Sequence, residues 1–312
     1  MRRLGVLGTL VLDTIHLPGP GEGAASDPLT DWGGIAYTLS ALEAVTPDGW
    51  EVFPIVKVGS DLRERADDFF ADLERVSSRE GIVSVVEPNN RVDLYYGSGP
   101  RRCEKLTGGV PGWTWPELGP LADDCDAMIV NFIAGWELDL ETARRLRAAH
   151  PGPLYADIHS LLLAVRDDGV RVLQTLPEWA QWRACFDFLQ MNEEELTALA
   201  GDSGDPEATA RETARSGPRA LFVTRGATGA SWYERSGTTG HEAPEAIAPG
   251  FIDPTGCGDV WGAACAASLL DGSNSAEAAR RGNRLAGAAV RHSGTGGLAD
   301  VLRAAAHAGE PA

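Results

Sequence analysis

A chain of 312 residues with 43% hydrophobic and 23% charged side chains can bury a large α/β core, and nothing in it resembles a disordered or low-complexity tract. The formal charge of −18, from 45 acidic against 27 basic residues, excludes a surface built to wrap nucleic acid, and the only lysines are Lys57 and Lys105. An anionic ligand must then be met by backbone amides, a metal ion or a few arginines. The five cysteines (Cys103, Cys125, Cys185, Cys257 and Cys265) form no C-x-x-C spacing, which fits a reduced, cytoplasmic protein rather than a disulfide framework or a zinc site.

The opening MRRLGVLGTLVLDTIHL has two arginines and an apolar run like those of a secretory signal, with Ala24-Ala25-Ser26 in the place of a cleavage site. Asp13 cuts that run short, however, and Gly5 and Gly8 suit a buried strand followed by a turn, so a first strand is expected here. Further short runs rich in Val, Ile, Leu and Phe follow: EVFPIVKVG, AMIVNFI, PLYADI, DFLQM and ALFVTRG. Each reads as a strand buried on both faces. Helical patterns lie between them over Leu62–Leu73, Leu140–Ala149 and Pro206–Ser216. Alternation of this kind predicts a doubly wound, mostly parallel sheet with helices on both faces, which binds ligands beyond the carboxyl ends of its strands. No apolar stretch is long enough to cross a membrane.

One region breaks the alternation. In IVSVVEPNNRVDLYYGSG, Arg91, Asp93 and Tyr95 alternate with Val92, Leu94 and Tyr96, the period of a strand with one wet face, and LDTIHLPG near the N-terminus alternates likewise. The two excursions predict a small β-lid, with segments around 12–32 and 83–110, over a single domain spanning 1–312.

FIDPTGCGDVWGAACAASLL, from Phe251 to Leu270, places an acid where a glycine-broken loop becomes a tightly packed helix. Successive amides there form a concave donor cluster for a phosphoryl group, and Asp259 beside them is placed to take a proton from an attacking hydroxyl. A plain first-turn acid gives the same local pattern. Other candidates have equally plain counterparts: Asp13 as a strand-end turn residue, Gly33 and Gly34 as a turn before a helix, Asn192 and Glu195 as a capping pair, and Thr224–Gly229 as a hairpin turn.

DPTGCGDVWGAACAASLL resembles the D-T-x-G-A-G-D signature of the PfkB, or ribokinase-like, carbohydrate kinases, with Pro254 at the first Thr position and Cys257 at the middle Ala. GVLGTLVLD is similar to that family's first strand, DWGGIAYTLSAL to its G-G-x-x-x-N-x-A segment with Thr38 in the Asn position, NEEELTAL to its N-x-x-E motif, and VTRGATGASWY to its T-x-G-x-x-G nucleotide loop. GNRLAGAAV and SGTGG resemble its closing segment. YADIHSLLL departs from the family's D-x-N-x-R, with His159 and Leu161 in place of Asn and Arg.

The resemblance implies an ATP-dependent kinase that phosphorylates a hydroxyl of a sugar, nucleoside or related polyol. Asp259 would be its catalytic base, and Gly256, Cys257 and Gly258 its anion hole. Asn192, Thr224, Gly226, Gly229 and Asn283 would contact the nucleotide; Asp13, Gly33, Gly34 and Thr38 the acceptor; and Glu195 would organise Mg²⁺. A K⁺-like ion would sit near Asp253 and the 293–296 loop, and the lid is the expected place for two copies to pair. The alternative is a catalytically silent sugar- or nucleotide-binding protein on the same fold, against which the retention of Asp259 counts. A nucleotide-dependent oxidoreductase lacks its G-x-G-x-x-G fingerprint. Trp32, before the glycine pair, is read either as a stacking platform for the acceptor or as core, and Arg91, Arg101, Arg102 and Lys105 as lid cations open to the acceptor or simply solvated.

Overall fold

Each run read as a buried strand forms one in the protein, a computed structural model that describes residues 1–16, 27–76, 78–95, 103–201, 204–244 and 253–307. The N-terminal half runs β1 (Arg2–Leu7), β2 (Leu10–His16), β3 (Leu29–Gly34), α1 (Ile35–Val45), β4 (Trp50–Gly59), α2 (Arg63–Ala71) and β5 (Ile82–Val85). Then come β6 (Arg91–Tyr95), β7 (Cys103–Thr107), α3 (Trp115–Asp123), β8 (Ala127–Asn131), α4 (Leu140–Ala149) and β9 (Leu154–Asp157). After the short hairpin of β10 (Leu163–Val165) and β11 (Arg171–Leu173) follow α5 (Trp179–Trp182), β12 (Phe188–Asn192), α6 (Glu193–Ala200), α7 (Pro206–Ser216) and β13 (Ala220–Thr224). The chain continues with β14 (Ala230–Glu234), β15 (Thr239–Glu242), α8 (Cys257–Leu270), α9 (Ser275–Ala289) and α10 (Leu298–His307).

Nine strands make the main sheet in the order β15-β14-β13-β12-β9-β8-β1-β4-β5. From β13 to β5 the pairing is parallel; β14 and β15 add an antiparallel edge. The uninterrupted apolar runs follow from burial on both faces. Val6, Val56 and Ile129 pack with α1, α8 and α9 in one core, whereas Leu7, Ile55 and Val130 pack with α3, α4 and α7 in the other. Among the described residues, no helix is long and apolar enough to cross a membrane.

The period-two segments form a separate four-stranded sheet in the order β3-β2-β6-β7. Residues 12–16 of the first excursion and the 91–95 run do pair, in parallel, with Asp13 opposite Val92. Val92 and Leu94 turn inward with Val11, Ile15, Leu106 and Ile133 to give this small lid its own core. Asp31 anchors it to the last loop, its carboxylate accepting the Thr295 N–H at 2.7 Å. Tyr96, Arg101, Arg102 and the Ala24-Ala25-Ser26 stretch lie outside the described residues.

Candidate active site

Parallel strands deliver their last residues to one edge, and here those residues are polar: Asn131 ends β8, Asp157 ends β9, Asn192 ends β12 and Thr224 ends β13. They line a cavity of about 480 Å³ together with His159, Glu195, Gly226, Gly229, the 256–259 turn and Asn283. The fold thus brings the sequence-predicted donor-site residues to one place, beyond the carboxyl ends of the strands.

Gly256 caps α8 in the left-handed region, φ +73°, and a Cβ there would fall inside the Tyr37 ring. Only glycine meets both conditions. Val260 N–H closes the first helical turn onto the Gly256 carbonyl at 2.9 Å. The Cys257 amide departs from the expected anion hole: it donates to the Pro254 carbonyl at 3.2 Å, because the residues before the helix form a tight turn. Gly256 and Gly258 are the other two residues of the expected anion hole, and both line the cavity. From the opposite side Gln190, buried in β12, donates its Nε2 to the Gly258 carbonyl at 2.9 Å and fixes the turn to the sheet. Gly262 permits that approach, since a Cβ at this position would collide with the Gln190 amide.

Asp259 sits in the first turn of α8, where the helix dipole favours its charge. Asn131 Nδ2 donates to Asp259 Oδ1 at 2.7 Å and to Thr38 Oγ1 at 2.8 Å. Thr38, expected at the acceptor, is thereby linked to Asp259 through Asn131, in a buried position of α1. The other acceptor candidates meet where β2 and β3 join α1. Asp13 is buried, and a Cβ on Gly33 would overlap its carboxylate; Gly34 begins α1 at φ +59°. Tyr37 lies among these acids: burial, then the charges of Asp13, Asp253, Asp31 and Asp259, push its hydroxyl well above the usual tyrosine range. Acceptor residues and candidate base therefore share one electrostatic neighbourhood.

Asn192 and Glu195 form a reciprocal capping box at the start of α6. Glu195 is also tied to His159, whose Nδ1 stands 2.5 Å from Oε1, while Asn192 Nδ2 reaches the same oxygen at 2.5 Å and Asn192 N–H reaches Oε2 at 2.7 Å. Burial disfavours charge on His159, but the Glu195 carboxylate outweighs it and raises the imidazole to about 9. Three donors, one of them the His159 imidazolium, already engage the Glu195 carboxylate. Among the described residues no group of three His, Cys, Asp or Glu side chains is arranged to hold a metal ion. Asp157 next to His159 is pushed well above the carboxylate range by burial, then by the charges of Glu195 and Asp259.

At the far end of the cavity, Gly226–Thr228 turns β13 into β14, so the expected hairpin turn and the expected nucleotide loop are the same feature. It faces an apolar wall of Ala286, Gly287 and Val290 on the α9 side. Asn283 lines this end, but its amide is engaged: Oδ1 accepts from Trp261 Nε1 at 2.9 Å, and Nδ2 donates to the Glu242 carbonyl at 2.6 Å. Trp32 is core, 4% exposed, with the Arg65 guanidinium over its ring at 5.3 Å; it offers the acceptor no stacking face. Near the 293–296 loop, Asp253 accepts from Ser293 Oγ at 2.8 Å and from Thr255 N–H at 3.0 Å.

A doubly wound sheet with a lid, an acid at a glycine-started helix and a cavity across the strand ends together define the ribokinase-like class. Solved structures agree on the fold. Ribokinase of Arabidopsis thaliana complexed with ribose and ATP is 18% identical, with 97% of this chain and 99% of that one covered and a TM-score of 0.72. The nucleoside kinase of Burkholderia thailandensis in complex with inosine gives 19%, 95%, 94% and 0.76, and a pyrophosphate-dependent kinase in the ribokinase family, in a sulfate complex, 16%, 93%, 96% and 0.77. No curated protein sequence matches significantly. Residues 162–301 match the pfkB family carbohydrate kinases, a segment that holds Asn192, Glu195 and the whole 253–259 turn. Residues 162–301 are thus similar to the pfkB family carbohydrate kinases, phosphotransferases with an alcohol acceptor, and the chain as a whole has the ribokinase-like fold.

Proposed function

We propose that this kinase transfers the γ-phosphoryl group of ATP to a hydroxyl of a sugar, nucleoside or related small polyol. The observation that carries the choice of donor is the shape of the cavity. Its polar end, with Gly256, Gly258, His159 and Asn192, has room for phosphates, and beyond it Ala227, Pro244, Ala286, Gly287 and Val290 offer a planar base an apolar slot. Pyrophosphate, the donor of one structural relative, would use the polar end alone. The structural relatives bound to ribose and to inosine support a sugar-bearing acceptor.

In this reading Asp13 and the backbone at Gly33–Gly34 hold the acceptor. Its hydroxyl oxygen attacks the γ-phosphorus, the bond from that phosphorus to the bridging oxygen of ADP breaks, and the hydroxyl proton passes to Asp259. Asn131 aims the carboxylate, and the Gly256 and Gly258 amides meet the charge on the transferring group. Closure of the lid excludes water that would otherwise accept the phosphoryl group. Magnesium carried on the triphosphate would neutralise phosphate charge that an acidic, lysine-poor chain does not otherwise offset, with Glu195 placed to meet it through water. A K⁺-like ion near Asp253 and the 293–296 loop would support the same turn from behind.

The test is a donor comparison: calorimetric titration of ATP and of pyrophosphate, each with Mg²⁺, followed by turnover with a panel of sugars, nucleosides and polyols. Tighter binding and turnover with ATP are expected. Turnover with pyrophosphate alone refutes the donor, and turnover with no hydroxyl acceptor refutes the reaction.

A further inference from the structure

A second cavity, of about 420 Å³, opens at the other end of the main sheet. Its floor is apolar: Leu4 of β1 and Ile129 of β8 with Ala266, Leu269 and Leu270 from the last turns of α8, and the rings of Tyr155 and Phe188. Arg219 and Arg235 also line it. Many arginines of this acidic chain are taken up by carboxylates, as in Arg147–Asp187, Arg225–Glu207 and Arg303–Glu43. These two are not, and they line one cavity. Arg219 is exposed, its guanidinium lies over the Phe188 ring at 5.1 Å, and it has no carboxylate partner among the described residues. Arg235 donates only to backbone carbonyls, from Nε to Pro218 at 3.3 Å and from Nη2 to Gly217. The one acid in the lining, Glu234, is occupied by Ser275 Oγ at 2.7 Å and Ser236 Oγ at 3.1 Å. An apolar floor beneath two cations and a single carboxylate that pairs with neither leaves a net positive charge, which suits an organic anion with a planar apolar body.

This cavity is wired to the active one. Tyr155, in its floor, donates its hydroxyl to Gln190 Oε1 at 2.8 Å, and the same Gln190 holds the Gly258 carbonyl at 2.9 Å. All the side-chain atoms in that chain are buried, so a change in the position of the Tyr155 ring has no solvent-side relaxation before it reaches the glycine turn.

We propose that the Arg219–Arg235 cavity is a second ligand site, for a carboxylate or phosphate carried on an apolar body, and that its occupancy is relayed through Tyr155 and Gln190 to the Gly258 turn. The probes are 2-naphthoate and 2-naphthyl phosphate, whose fluorescence reports binding, with 2-naphthalenemethanol as the uncharged control. Saturable binding of at least one anion is expected, and comparison of the two tells carboxylate from phosphate. Loss of a charge-assisted contact in Arg219→Ala or Arg235→Ala should weaken binding about tenfold each, and the alcohol should bind about tenfold or more weakly than the anion. Both arginines are exposed, so the variants keep the fold. At saturation, amide hydrogen exchange over residues 256–262 should slow several-fold, roughly the size of a modest coupling between sites. Tyr155→Phe should bind the probe as the parent does and lose that slowing. The proposal is overturned by the absence of saturable binding, by binding indifferent to both arginines, by unchanged exchange at 256–262, or by slowing that survives in Tyr155→Phe. None of these readouts requires turnover, so their failure is distinguishable from failure of the kinase reading.

Discussion

Glu195→Gln keeps the shape of the side chain and one acceptor oxygen for the α6 cap, but removes the charge that holds His159 protonated. The imidazole stands at about 9 in the folded protein, against an ordinary value of 6.5. A raised histidine stabilises the fold fully below the unfolded value, and the contribution fades as pH rises from about 6.5 through about 9. The gap corresponds to roughly 3 kcal/mol at about 1.4 kcal/mol per unit, and solvent screening of a ring that is 32% exposed brings it to on the order of 1–2 kcal/mol. Urea unfolding of parent and variant at pH 6, 7.5, 9 and 10 reads this directly. The variant should be less stable by about 1–2 kcal/mol at pH 6, and the difference should shrink toward a few tenths by pH 10. A difference that stays constant across that range would mean that Glu195 acts on stability only as a helix cap, and would refute the ion-pair argument. The same variant, assayed for turnover against Mg²⁺, should show little change in the half-saturating metal concentration if Glu195 meets magnesium only through water.

Gly256→Ala forces a side chain into the left-handed region and into the Tyr37 ring, and should cost about 2–4 kcal/mol in thermal or urea unfolding. Asn131→Ala removes both hydrogen bonds behind Asp259; a fall in turnover of about 10–100-fold, with donor affinity within a few-fold of the parent, is expected from a misaimed base.

The fold was largely legible in the sequence because its strands are buried on two faces and its turns carry glycine. Helices α4 and α7 span the same residues as their expected patterns, and α2 differs only at its ends. The lid was legible because Val92 and Leu94 alternate with wet neighbours, a period that the main sheet does not show. The site was legible where a motif is contiguous, as at Gly256–Asp259 and Asn192–Glu195. It was not legible where function rests on contacts across the chain. Asn131 lies 128 positions from Asp259 and 93 from Thr38, and Gln190 lies 68 from Gly258. The available signal was a polar residue at the end or in the interior of an otherwise apolar strand, which a sheet buried on both faces accepts only when it is paired. Trp32 and Asn283 illustrate the converse. Their residue types suit ligand contact, but a residue type does not show that Trp32 packs under Arg65 or that the Asn283 amide bonds to Trp261 and Glu242. The Cys257 amide was lost to the Pro254 turn, which no residue type announces.

The central claim is that Asp259 removes the proton from the attacking hydroxyl. Asn at this position preserves the size, the glycine turn and an oxygen for Asn131 Nδ2 to donate to, so Asp259→Asn changes proton acceptance and little else. The measurement is turnover of the purified variant, alongside its ATP affinity and its unfolding midpoint. If Asp259 is the base, turnover falls by about 10²–10⁴-fold while the protein stays folded and binds ATP at least as well as the parent, a negative charge beside the phosphates having been removed. If Asp259 is only a first-turn acid, the substitution costs within about 1 kcal/mol of stability, and turnover within a few-fold of the parent contradicts the mechanism.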